Sequence, residues 1–180
     1  MKPNQNLTGE TVRIIRELDF VAREGLKRKH EGHELFDTHI KFVIDKSHCY
    51  AVNVYASDYK SIMILSYVPD TGNNSLSATI SYIQGDKDFF AGQSTGLKRA
   101  KVREYLEKLT SCSSKLKSCF TELGDCFVVQ RNGFEVTDGM HRLVAYGLAS
   151  GMKEDNFPIP IYLGSDNSLE IVETGAISSS

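Results

Sequence analysis

The chain has 180 residues, 41% of them hydrophobic and 24% charged, and a formal net charge of -2. That length supports one domain with a real core, the composition is ordinary for a soluble globular protein, and no global field would hold the chain on a phosphate backbone. No apolar run nears the roughly 20 residues needed to cross a bilayer, and the opening "MKPNQNLTGE" lacks the hydrophobic stretch of a signal peptide, so the expectation is a cytoplasmic chain with no membrane partner.

In chain order, Thr8 suits an N-cap and Glu10 the first turn of a helix. Val12, Ile15, Leu18, Ala22 and Leu26 recur at helical spacing and predict a helix from about residue 9 to about residue 29. "HIKFVID" then alternates through Ile40, Phe42 and Ile44, "CYAVNVYA" is β-branched and aromatic, "SIMILSYV" has strand length, and "SATISYIQ" alternates through Ala78, Ile80 and Tyr82. With "DKSH", "SDYK" and "PDTGNN" as turns, these segments predict an antiparallel meander.

"GDKDFFAGQSTG" reads as loop, and Ser94 or Thr95 in it suits a helix cap; a second phosphate-contacting loop is the alternative, without the G-K-[ST] ending of a Walker A motif. Val102, Leu106, Leu109, Leu116, Phe120 and Leu123 share one helical stripe, which "SCSS" at 111–114 divides. "CFVVQ" and "FEVT" are short strands around Asn132-Gly133, a two-residue hairpin signal. A helix and a last strand, "PIPIYLG", follow, and residues 165–180 read as a loosely ordered tail. The whole predicts a single α+β domain over 1–164. Its core spans 95–164, with the helix and meander of 1–94 packed on it.

The chemistry gathers in "VTDGMHRLVAYGLASG", residues 136–151. Asp138 stands where it would cap a helix, Gly139 allows a tight turn, and Met140, His141 and Arg142 fall at the start of an apolar, buried helix. Free amides, the positive end of the dipole and a guanidinium would make an anion site there, with His141 as hydrogen-bond or proton-transfer partner. The plainer reading is a capped helix with Arg142 in a surface ion pair and His141 exposed.

The stretch "FEVTDGMHRLVAYGLASG", with "FPIPIYLG" after it, resembles the ParB/sulfiredoxin-like superfamily, which includes the ParB-like nuclease domain. The resemblance covers roughly the last 70 residues before the tail. Gly139, His141 and Arg142 match its G-x-H-R box, and Asp138 matches the acidic residue common before the glycine. It implies a mixed sheet with helices and a nucleotide phosphate bound by Asp138, Gly139, Met140, His141 and Arg142. ATP or another nucleotide would be the cofactor, with Mg2+ accompanying it. Where sulfiredoxins carry a cysteine this chain has Met140, and a thioether cannot replace a thiolate nucleophile, so sulfinic-acid reduction is not expected. Partition proteins carry an arginine-rich segment and a helix-turn-helix, neither found here, so autonomous DNA binding is not expected either. Kinase-like members need an acidic base, for which Glu104, Asp125 and Glu135 are candidates.

Three further signals have two readings each. His30, His33, His39 and His48-Cys49 read as a solvated helix end rather than a metal site, and no metal ligand is assigned. Lys98, Arg99, Lys101 and Arg103 form either a solvent face balanced by Glu104 and Glu107 or a phosphate-contacting patch at the wrong end of a helix dipole. None of the four cysteines, Cys49, Cys112, Cys119 and Cys126, forms a C-x-x-C pair. Reduced buried thiols are expected; Cys112 and Cys119, seven apart, would share one helix face, and a redox pair is the alternative.

The expected function is binding of a nucleotide or phosphorylated small molecule at the Asp138–Arg142 turn. If there is catalysis, it would be phosphoryl transfer or nucleotide hydrolysis, with Arg142 and the helix amides stabilising charge and His141 moving a proton. The alternatives are a non-enzymatic DNA-associated or regulatory module, or a relic of the fold whose N-terminal region serves oligomerisation.

Overall fold

Burial of both faces of one sheet sets the architecture. The computed structural model describes residues 13–64, 74–91 and 97–169, which form six strands and six α-helices. β1 (Arg13–Glu17) pairs antiparallel with β2 (His48–Val54), and β2 pairs antiparallel with β6 (Ile159–Ser165). Across β6 lies β4 (Phe127–Gln130), parallel to it; β4 turns back into antiparallel β5 (Phe134–Asp138), and β5 runs parallel to β3 (Ile62–Ile64). The result is a mixed sheet ordered β1-β2-β6-β4-β5-β3.

Side chains on successive strand residues point to opposite faces. One face carries Val52, Val54, Val128, Ile161 and Leu163. Against it pack α3 (Leu76–Gly85), α4 (Arg99–Thr110), α5 (Leu116–Glu122) and α6 (Met140–Ser150). The other face carries Cys49, Phe127 and Val129, covered by α1 (Phe20–His30) and α2 (Lys41–Ile44). α2 sits so close to β6 that a Cβ at Gly164 would meet the Val43 carbonyl oxygen and lie 3.0 Å from the Val43 Cγ1.

The expected N-terminal helix and four-strand meander are corrected. Residues 13–17 are strand, and the helix begins only at Phe20, where the Asp19 carboxylate accepts from the Ala22 amide at 2.8 Å. Ile14 and Leu18 are buried while Ile15, counted on the helical stripe, is 49% exposed. "HIKFVID" is helical, a π-helical turn over Phe36–Ile40 running into α2. Its buried residues are Ile40, Val43 and Ile44, spaced by three and four, so the alternating Phe42 was a false signal. "SATISYIQ" lies in α3, capped by Ser75, and buries Leu76, Thr79, Ile80 and Ile83. Of the meander, β2 and the short β3 are strands, and β3 joins the far edge of the sheet beside β5.

Downstream, the division of the stripe into α4 and α5, the β4–β5 hairpin, α6 and β6 fall as expected. The hairpin turn takes three residues rather than two: Gln130 pairs with Phe134, and the Arg131 amide donates to the Gly133 carbonyl at 2.9 Å. The expected tail starts too early, because Ser165 is in β6 and the buried Leu169 donates its amide to the Tyr50 hydroxyl at 2.9 Å. Thr8, Glu10, Val12, Ser94 and Thr95 lie outside the described residues.

Candidate functional site

β5 ends at Asp138, and the chain reverses into α6 at Gly139, whose φ of +94° is the left-handed region that favours glycine. Space makes a second demand: a Cβ at Gly139 would lie 2.9 Å from the Cys126 Cβ on the neighbouring chain segment. The helix behind is a fixed platform. Leu143, Val144, Ala145 and Tyr146 are fully buried, and the buried Tyr59 hydroxyl donates to the Leu143 carbonyl at 3.0 Å. The Leu143 amide closes the first helical turn on the Gly139 carbonyl at 2.9 Å, so the amides of Met140, His141 and Arg142 stand ahead of the ladder.

Asp138 does not cap this helix. Gly139 occupies the cap position with no side-chain bond, and the Asp138 carboxylate instead accepts from Arg142 Nη2 at 2.8 Å. The guanidinium one turn along is a full positive charge, and it takes the carboxylate in place of a backbone amide. The surface ion pair foreseen for Arg142 is a shielded one, both side chains being 12% exposed. Arg142 Nη1 donates to the Leu123 carbonyl just past α5 at 3.2 Å. Gly124, at φ +116°, makes room for it: a Cβ there would lie 2.5 Å from Nη1.

His141 faces α4. Its Nε2 accepts from the Lys98 backbone amide at 3.0 Å, which places the ring proton on Nδ1 and ties the start of α4 to the start of α6. Burial lowers the His141 pKa, and the charges of Lys98, Lys101 and Arg142 lower it further against the opposing pull of Asp138. An imidazole held neutral among three cations marks an electropositive locality.

The α4 cations divide between the two readings of their cluster. Arg99 lies over the Phe89 ring at 4.3 Å and donates to the Phe89 carbonyl; Arg103 lies over Phe90 at 5.4 Å and donates to its carbonyl at 2.6 Å. They hold a 3-10 turn over Phe89–Ala91. Lys98 and Lys101 flank His141, while Glu104 is shared by Lys101 at 3.6 Å and Lys108 at 2.7 Å.

The candidate acidic bases are not brought to the turn. Glu104 is engaged on α4, and Glu135 lies 3.9 Å from Arg131. Asp125 lies across the sheet from α6, accepting from Lys29 Nζ and bonded to His30 Nε2, both at 2.7 Å. This Asp125 knot escaped sequence reading because its partners are 95 and 96 residues away. The other histidines scatter: His48 Nδ1 meets Glu17 at 2.8 Å, His39 meets Thr38 at 2.6 Å, and His33 accepts from the Leu35 amide at 3.1 Å.

The cysteine reading is corrected. Cys112, in the connection after α4, and Cys119, in α5, form a disulfide rather than sharing one helix face. The break at "SCSS" folds the segment back on itself and brings the two sulfurs together. Cys49 and Cys126 are free and buried, their thiols pushed by burial up to about 11 and about 12.

No helix among the described residues is long and apolar enough to cross a membrane. Compared with family models, curated proteins and solved structures, the chain matches none.

Proposed function

We propose that the start of α6 is an anion site of the ParB/sulfiredoxin-like kind. Its guest is a phosphate carried by a nucleotide such as ATP or by another phosphorylated small molecule. The observation that carries this reading is the junction of two helix starts at His141, joined by the Lys98 amide and flanked by Lys98, Lys101 and Arg142. Unpaired amides and positive side chains there would stabilise a dianion together. The pairing of Asp138 with Arg142 offsets a negative charge that would oppose it. The hairpin, the glycine turn, the buried helix and the following strand supply the order that the G-x-H-R resemblance requires.

Binding is favoured over catalysis by the engagement of the catalytic candidates. The Arg142 terminal nitrogens serve Leu123 and Asp138, and the three acidic candidates have partners elsewhere. His141 remains as a hydrogen-bond partner to phosphate. Among the described residues no group of three or more His, Cys, Asp or Glu side chains could hold a metal ion. Magnesium would therefore arrive on the nucleotide rather than in a cage of described side chains.

Titration with ATP and with inorganic phosphate, followed by the His141 ring signals, tests the reading. A bound dianion raises the His141 titration midpoint toward or past the ordinary histidine value. Lys98→Glu, at an exposed position, weakens binding while the fold stays intact. A His141 midpoint indifferent to both ligands sinks the proposal. Release of free phosphate from bound ATP separates a catalyst from a carrier.

A further inference from the structure

The Cys112–Cys119 disulfide lies one helical turn from the group that holds Arg142. Cys119 is 4% exposed within α5, and Leu123, four residues on, presents its carbonyl to Arg142 Nη1. α5 has seven residues, too few to persist in water alone. It is held by the disulfide, by Phe120 against the Tyr146 ring at 4.7 Å, and by Lys117 Nζ on the Phe157 carbonyl at 3.3 Å. Beyond Cys119, the turn carrying Leu123 and Gly124 is bonded back to Phe120 and Thr121 and rests on the core only through the partly buried Leu123, so the disulfide is its one covalent anchor.

We propose that this disulfide is a redox control on the anion site: when formed, it keeps Leu123 on Arg142 and withholds the guanidinium from a ligand, and when reduced, it releases Nη1 to phosphate. The inference rests on the phosphate-binding reading above. The half-buried Cys112 lies among exposed Ser111, Ser113 and Ser114, whereas Cys119 is covered. A small or protein dithiol therefore attacks at Cys112 Sγ. The S–S bond breaks, and Cys119 leaves as a thiolate that takes up a proton. The reductant's second thiol then attacks the mixed disulfide, frees the Cys112 thiol and leaves the reductant as its own disulfide. Two electrons pass from the dithiol to the protein. The last turn of α5 then frays locally while the Phe120 packing keeps the core closed, and Arg142, still paired with Asp138, regains a donor for a phosphate oxygen.

The experiment compares air-oxidised and dithiol-treated full chain. Unfolded in denaturant, the oxidised form exposes two thiols, Cys49 and Cys126, and the reduced form all four; four thiols in the oxidised preparation overturn the proposal. On reduction, amide hydrogen exchange across 119–124 accelerates, and the affinity for inorganic phosphate rises about fivefold or more, the lower end of ordinary coupling between two sites. Cys112→Ser, which leaves the buried Cys119 in place, takes the reduced affinity and loses its response to dithiol. Equal or weaker phosphate affinity after reduction, with the His141 signals still responding to phosphate, overturns the redox control and leaves the anion site standing. No response of His141 in either state overturns the anion site itself and the control with it.

Discussion

The two faces of the sheet each carry an acid–base knot at the same end of β4, and the two knots are built differently. On the α6 side, Asp138, which pairs with Phe127 across the hairpin, holds Arg142, a cation at every accessible pH. On the α1 side, Asp125, two residues before Phe127, holds Lys29 and His30, and the His30 ring meets the Phe127 ring edge-on at 5.2 Å. The first knot lies within one turn of chain and fixes the approach of a helix to its own preceding strand. The second spans about half the sequence and fastens α1 to the sheet. A local permanent pair suits a platform that must not move under a ligand, whereas a distant pair containing an imidazole suits a clasp between layers.

Removing the permanent knot has the largest effect. Arg142→Ala leaves the Asp138 carboxylate and the Leu123 carbonyl without their partner and destabilises the chain by about 3–4 kcal/mol, the usual cost of breaking a shielded pair from one side. Chemical denaturation measures it; a loss below 1 kcal/mol would remove the distinction between the knots. Gly139→Ala tests the same platform through its backbone. A side chain in the left-handed region and a clash with Cys126 together cost about 3 kcal/mol, seen as a lower denaturation midpoint.

Breaking the clasp is milder and depends on pH. Asp125→Asn removes the negative charge from the bonds to Lys29 and His30, at about 2 kcal/mol near neutral pH. Burial alone would raise the Asp125 pKa, but the hydrogen bonds of Lys29 and His30 prevail and lower it below the usual carboxylate range. A depressed carboxylate contributes stability above its unfolded pKa near 4 and loses it as pH falls through the folded value. The gap between native chain and variant is therefore full at pH 6–7 and closes in acid below about pH 4. A gap unchanged down to pH 2 would show that Asp125 acts through shape rather than charge.

Legibility in the sequence followed the same divide between local and distant contacts. α6 and the β4–β5 hairpin were readable because their signals are adjacent: Asn132-Gly133, Gly139 and an unbroken apolar run. The turn at 138–142 was readable for that reason, although the partners of Arg142 and His141 were not, since Leu123 and Lys98 come from other helices. At 39–45 and 77–84 the apolar residues satisfy both periods, and burial chose three-and-four spacing because Val43, Leu76 and Ile83 face the core. β1 was not legible because Ile15 and Leu18 fall at helical spacing, whereas strand alternation buries Ile14 and turns Ile15 outward, with a register irregularity between Ile14 and Arg16. The disulfide was half-legible: the seven-residue spacing was visible, but it meant a reversal at the serine break rather than one continuous helix.

The smallest expected change in stability comes from Lys98→Ala, and it sharpens the account of the α6 side most. The residue is exposed, and its backbone amide, which the substitution retains, makes the bond to His141. Stability at neutral pH therefore shifts by about 0.5 kcal/mol or less. The His141 midpoint moves up, because the Lys98 charge follows burial among the causes that lower it. A histidine with a depressed folded pKa contributes stability above its unfolded pKa near 6.5, and that contribution is lost as pH falls through the folded value. Weakening the depression shortens that loss, so the variant gains on the native chain as the solution is acidified below about pH 6.5. Salt mimics the substitution, since a Debye length near 3 Å at 1 M screens an exposed ammonium. If the variant's His141 titrates where the native one does at low salt, the Lys98 charge is not felt at the ring, and the electropositive junction loses one of its three cations.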